Sequence, residues 1–323
     1  MANSMQDAPH AACSGCSLCL LVCPMWRQSR DIGLSPHGYA KALQHGATAA
    51  DIATELDSCT LCGACDPVCP EQIDLSGMIM KLRRELDHPA KPDLHARMQT
   101  QAARPHAPPL TVTIALLPGH SLRTHKDTLA RVAALLGKDG ALAMADDDGD
   151  DIALALETGM EIPPQRLQRF LTPLRQLEKI IVANGLLFAH LQQWLPAAHI
   201  VSLGAALSGH RAVRSGLRAT DLYVIEPRAY HADYERLVQH YDRLRVAKGC
   251  AFNLDLQRIA IPATARSLPQ RLGMAAAIDD DHHARWILHG HKFDRIVAES
   301  IEDHALMSRV SDCPVVHLAE VAE

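Results

Sequence analysis

Eight of the chain's ten cysteines fall between residues 13 and 69, in two runs of a single design. The first reads Cys13-Ser-Gly-Cys16-Ser-Leu-Cys19-Leu-Leu-Val-Cys23-Pro24, the second Cys59-Thr-Leu-Cys62-Gly-Ala-Cys65-Asp-Pro-Val-Cys69-Pro70, and both are C-x2-C-x2-C-x3-C-P. Three cysteines at successive spacings of three wrap their thiolates around three irons of one cubane, while the fourth is carried past it toward a neighbouring cluster. Two such runs imply two [4Fe-4S] clusters with exchanged fourth ligands. The expected sets are Cys13, Cys16 and Cys19 with Cys69, and Cys59, Cys62 and Cys65 with Cys23, so that the metal fastens the runs to each other.

The alternative for paired C-x2-C units is structural zinc. Tetrahedral zinc needs only four ligands, which leaves the third cysteine and the Cys-Pro of each run surplus. Gly15 and Gly63 let the backbone pass close to a cluster, and loop amides there donate to sulfur and favour the reduced state. Pro24 and Pro70 lack an amide hydrogen and fix the turn where the chain leaves. Leu18, Leu20, Leu21, Val22, Leu61 and Val68 are expected to form an apolar shell that keeps water out and tunes potential.

The elements that must carry these loops are helical. Ser35 is placed as an N-cap with Pro36 at the first helical position. After the second run, Leu75, Met78, Ile79 and Leu82 share one helical face, with Lys81, Arg83 and Arg84 expected on others.

The whole chain, 323 residues and 48% hydrophobic, suffices for two globular domains. With 32 Lys plus Arg against 37 Asp plus Glu, and no basic block, it has no electrostatic basis for binding nucleic acid. Residues 1–10 show no secretory signal and no stretch approaches a membrane span, so the expectation is a cytoplasmic protein, peripheral to a membrane only through a partner. Residues 1–90 carry six basic and ten acidic side chains, a potential that favours a basic docking surface on a redox partner.

The N-terminal region resembles the helical two-cluster ferredoxin modules of glycolate oxidase iron–sulfur subunits, anaerobic glycerol-3-phosphate dehydrogenase small subunits and heterodisulfide reductase C- and D-type subunits. Thirty-five residues separate Cys23 from Cys59, and Leu34-Ser35-Pro36-His37-Gly38-Tyr39 is similar to the Ser-Pro-Arg-Gly start of that family's connecting helix. The resemblance implies an electron-transfer subunit of a multisubunit oxidoreductase. Its partners would be a flavoprotein dehydrogenase subunit and a membrane or quinone-linked redox subunit. The other reading it allows is a catalytic disulfide reductase of the heterodisulfide type.

Residues 87–110 are rich in proline and polar residues and read as a linker between a module at 1–86 and a domain at 111–323. Beyond it, β-rich strings at Thr111–Leu117, Leu177–Ala183, Ala198–Leu203 and Leu222–Ile225 alternate with helical patterns such as Asp127–Leu136, which favours an α/β domain with a parallel sheet. Ile181-Val-Ala183 lies nineteen positions before Ile200-Val-Ser202, as Ile296-Val-Ala298 does before Val315-Val-His317. Ala115-Leu-Leu-Pro118-Gly119-His120 is similar to Tyr223-Val-Ile-Glu-Pro227-Arg228. The fold class is therefore α + α/β: a helical two-cluster module, then a duplicated α/β domain with halves at about 111–218 and 219–323.

That domain resembles the duplicated Cys-Cys-Gly domain of the same families, with its cysteines gone. Gly119-His120 and Pro227-Arg228 stand where Gly-Cys and Pro-Cys belong, and Met144–Gly149 and Ile259–Pro262 replace the Cys-Cys-Gly runs. Without those thiolates the domain is expected to be a docking scaffold. Cys250 and Cys313 read as inert core residues, and Asp279–His283 with His289 and His291 as a solvated face. Asp146–Asp151 reads as a turn with Asp151 capping the next helix. No Gly-x-Gly-x-x-Gly, phosphate-binding loop or Gly-x-Ser-x-Gly elbow occurs.

Overall fold

A computed structural model describes residues 9–87, 91–105, 112–137, 142–264, 268 and 279–322. Its N-terminal part is helical, with helices Leu18–Val22, Pro24–Ser29, Pro36–Gln44, Ala53–Ser58 and Leu75–Glu85. Ser35 caps the third of these, its hydroxyl accepting from the Gly38 amide at 3.1 Å, with Pro36 at the first helical position. A core of Tyr39, Leu43, Leu56, Leu61, Met78, Ile79 and Leu82 lies under both cysteine runs.

The remainder is α/β and contains one arrangement twice. Strands β1 (Ile114–Leu117), β2 (Leu142–Met144), β3 (Lys179–Val182) and β4 (His199–Ser202) form a sheet in the order β2-β1-β3-β4. Strands β5 (Asp221–Val224), β6 (Ala251–Phe252), β7 (Arg295–Ala298) and β8 (Val315–His317) repeat it as β6-β5-β7-β8. All pairings within both sheets are parallel. The similar strings of the sequence fall on corresponding strands, Ala115 and Tyr223 on the second of each sheet's order, Ile181 and Ile296 on the third, Ile200 and Val315 on the fourth, but the first two pairs are one residue out of register.

Alternation along the strands explains why the sheets are buried on both faces. Leu116, Ile181 and Val201 of the first sheet share a core with Tyr223 and Val297 of the second. Their neighbours Leu117, Ile180, Val182 and Ile200 pack outward under helices of the first half, and Leu222, Val224, Ile296 and Ala298 do so in the second. Cys250 sits inside the shared core, 3% exposed; Cys313 is half-buried with its Sγ 3.8 Å from the Phe293 carbonyl.

Three local expectations are corrected. The segment read as a linker contains helix Lys91–Ala103, whose Leu94 and Met98 are buried against Ala155. The helix Asp150–Thr158 begins from Gly149, in the left-handed region at φ 68°, so Asp151 is not its cap. Asp151 and Asp147 instead grip the fully buried Arg166, at 2.6 and 2.8 Å. Arg83 does not lie on a polar face: it is 1% exposed. Among the described residues, no helix is long and apolar enough to cross a membrane.

Candidate metal centre

The eight cysteines gather around two small cavities. Cys13, Cys16, Cys19 and Cys69 line one, together with Pro36, His37 and Ile73. Cys23, Cys59, Cys62 and Cys65 line the other, with Tyr39, Leu61 and Ala64. Each set joins three cysteines of one run to the last of the other. Among the described residues, no three His, Cys, Asp or Glu side chains stand together as a cage for a single ion; the sulfurs surround a volume.

The two sets differ in environment. Cys23, Cys62 and Cys65 are buried and Cys59 half-buried, whereas Cys16 is exposed and Cys13, Cys19 and Cys69 are half-buried. Burial, with the neighbouring Cys13 and Cys16, pushes the Cys19 thiol up to about 11. Burial likewise lifts Cys62 to about 11 and raises Cys23, Cys59 and Cys65. Thiols held this far up are neutral unless a cation ionises them, which is what iron does on binding. Eight sulfurs in two groups of four fit two cubanes and exceed what a lone tetrahedral ion needs.

Backbone geometry turns donors toward sulfur. Gly15 and Gly63 adopt φ of 82° and 75°, which only glycine does without strain, and a Cβ on Gly63 would meet His231 at 3.1 Å. The Leu61 amide donates to Cys59 Sγ at 3.4 Å; the Ala64 amide and the Thr60 hydroxyl serve Cys62, and amides of Met25 and Trp26 serve Cys23. The apolar shell is only partly as expected: Leu20, Val22 and Leu61 are buried, but Leu18 and Leu21 are 37% and 49% exposed. Leu18 lies between Cys16 and Cys19 in the chain, and Leu21 between Cys19 and Cys23.

Residues outside the motif hold the second set. Arg83 donates to the carbonyls of Leu56 and Cys59, both at 2.6 Å, and to Glu157 at 2.9 Å. His231 bonds the Cys62 carbonyl through Nδ1 at 2.7 Å and accepts from the Ala260 amide through Nε2 at 3.2 Å. Burial pushes His231 down to about 4, so it is the neutral tautomer with hydrogen on Nδ1. Asp66 accepts from the amides of Leu75 and Ser76 and so starts helix Leu75–Glu85; burial lifts it to about 6. Neither Arg83 nor His231 is signalled by the spacing of the runs, since both lie outside them, whereas Asp66 sits within the second run beside Cys65.

At the carboxyl ends of both sheets lies a cavity of about 430 Å³, the usual place for a crevice in parallel sheets. Gly119, His120, Glu226, Pro227 and Arg228 line it, and Thr60 and Cys62 border it as well as the second cysteine cavity. The positions where the resemblance implied cysteines thus face this space as His120 and Arg228. The Asp279–His283 stretch is structural: Asp279 caps helix Asp280–Leu288, and the buried His283 bonds the Pro262 carbonyl at 2.8 Å.

Residues 10–73, which include all eight clustered cysteines, match a family model described as a 4Fe-4S dicluster domain. The chain is accordingly an iron–sulfur protein whose N-terminal region binds [4Fe-4S] clusters. No curated protein and no solved structure matches it.

Proposed function

We propose that the chain is an electron-transfer subunit of a multisubunit oxidoreductase, relaying electrons through two [4Fe-4S] clusters. It passes them between a flavoprotein dehydrogenase partner and another acceptor, such as a membrane or quinone-linked subunit. The first cluster is held by Cys13, Cys16, Cys19 and Cys69, the second by Cys59, Cys62, Cys65 and Cys23. The observation that carries the reading is the composition of the two cavities, each lined by three cysteines of one run and the fourth of the other. Each cluster, when bound, accepts and returns one electron at nearly constant geometry.

The protein's own work is positional. Helices Pro36–Gln44 and Leu75–Glu85 set the two runs side by side, and buried leucines and Tyr39 keep water from the second set. Exposed Cys16, with Leu18 and Leu21 beside it, makes the first set the side open to a partner. The resemblance to the subunits of glycolate and glycerol-3-phosphate oxidising enzymes supplies the class of partner.

Anaerobic affinity purification from the native host tests this. A co-purifying flavoprotein that reduces the clusters when given its substrate is the expected result. Material with zinc in place of iron and acid-labile sulfide, or a chain that recovers no redox partner, would sink it.

A further inference from the structure

The peptide unit between Thr60 and Leu61 faces two ways. Its N–H donates to Cys59 Sγ at 3.4 Å, and its C=O accepts from Arg228 Nη2 at 2.7 Å. A trans peptide places these groups on opposite sides, so the guanidinium that holds the oxygen also aims the N–H at the sulfur. The turn needs holding, because Leu61 sits at φ 49°, a region disfavoured for a residue with a Cβ. Arg228 comes from the second half of the α/β region, at the start of helix Pro227–Ala232 directly after the fully buried strand β5. Its own amide is fixed by Glu226 Oε1 at 3.1 Å.

The Arg228 side chain is 19% exposed, and its one carboxylate partner among the ion pairs of the described residues is Glu157, at 3.4 Å. A charge in such a setting acts on its neighbours through a low local dielectric. From this geometry we infer that Arg228, paired with Glu157, is a positioning residue for the second cysteine set and holds that cluster's reduction potential up. The inference rests on the ligand sets proposed above. It gives the α/β region a part in the redox centre beyond docking, since a reduced cluster carries one more negative charge than an oxidised one and outer hydrogen bonds and charges set its potential.

The experiment uses the full-length chain with both clusters loaded, following each midpoint potential by electron paramagnetic resonance during anaerobic redox titration. Arg228→Met is expected to shift the second cluster's midpoint down while leaving the first where it was, and Arg228→Lys to return it most of the way. Glu157→Gln, which keeps an acceptor and removes the negative charge, is expected to shift the same midpoint up. Opposite shifts from the two members of one pair distinguish an electrostatic role from simple damage to the loop. Midpoints that stay put in all variants, or that move the same way in Arg228→Met and Glu157→Gln, overturn the inference. Iron and sulfide measured beforehand separate the two failures: a wild-type chain without iron refutes the ligand sets, whereas loaded clusters with unmoved midpoints refute only the role of Arg228.

Discussion

Arg83 donates to the carbonyl oxygen of Cys59 at 2.6 Å from a side chain that is 1% exposed. The same guanidinium reaches the carbonyls of Leu56 and Glu157, so one cation joins the helix before the second run, the first cysteine of that run and helix Asp150–Thr158. Burial lowers its pKa, and the neighbouring Cys59 and Asp57 oppose that change. Arg83→Met takes a donor from each of these carbonyls, of which Leu56 keeps the Cys59 amide at 3.2 Å, at about 1–3 kcal/mol for each one left unpaired that water fails to reach. A total loss of about 3 kcal/mol is expected by thermal or chemical denaturation. Arg83→Met unfolding like the wild type would mean that the guanidinium is dispensable to the packing.

Exchanged ligands predict crossed phenotypes. Cys69→Ala is expected to damage the spectrum of the cluster held by Cys13, Cys16 and Cys19, and Cys23→Ala the other. Electron paramagnetic resonance of the dithionite-reduced variants separates the two signals. If each substitution affects the cluster of its own run, the exchange is wrong.

On the proposed ligand sets, stripping the iron removes the metal ties between the two runs, and the chain between residues 24 and 58 then has to be held by packing alone. Limited proteolysis of chelator-treated protein is expected to cut within 24–58 faster than in the loaded form, while the two sheets at 114–202 and 221–317 stay protected. Equal rates with and without iron would show that helix packing already does what the metal is assigned.

Glu299 gives a pH dependence whose sign follows from burial. Its carboxyl, enclosed by the hydroxyls of Tyr223 and Tyr241 at 2.7 and 2.6 Å, is pushed up to about 7 by desolvation. Below the unfolded value near 4.5 the group is protonated in both states and has no effect; as pH rises toward 7 the unfolded state ionises first, and native stability falls. Glu299→Gln should therefore gain on the wild type by about 3 kcal/mol between pH 4 and pH 8. Buried His231, His283 and His317, each lowered to about 4, act in the opposite sense by destabilising the fold on acidification. The difference between variant and wild type cancels that background. A constant difference across the range would mean that Glu299 titrates alike in the folded and unfolded states, with no shift from burial.

Legibility in the sequence followed the range of the interactions involved. The cysteine runs, the Ser35–Pro36 start of a helix and the β-rich strings are local patterns, and local backbone preferences make them. Arg83 is the counterexample: four residues after Ile79 it lies on the buried face of its helix, but a charged side chain reads as solvated, and what pairs it inside is helix Asp150–Thr158, seventy residues on, whose carbonyl it binds. Helix Lys91–Ala103 was masked by the surrounding prolines, although Leu94 and Met98 stand at helical spacing and are its buried residues. Asp151 looked like a cap because aspartate favours that place, but the demand of buried Arg166 for carboxylates outweighed it. Leu18 and Leu21 look like core residues by type alone, yet they are exposed.

Gly159 terminates helix Asp150–Thr158 at φ 69°, and a methyl group added to it would come within 2.3 Å of the Arg84 amide nitrogen and 2.5 Å of the Arg83 carbonyl carbon. Backbone therefore lies on backbone where the two parts of the chain meet, with a hydrogen atom's width between them. A carrier that shuttles its cargo on a swinging arm needs a seam that slides, and this one is interlocked. Under the proposed electron-transfer role the cysteine sets keep one fixed place against the α/β region, so reach has to be supplied by the partners.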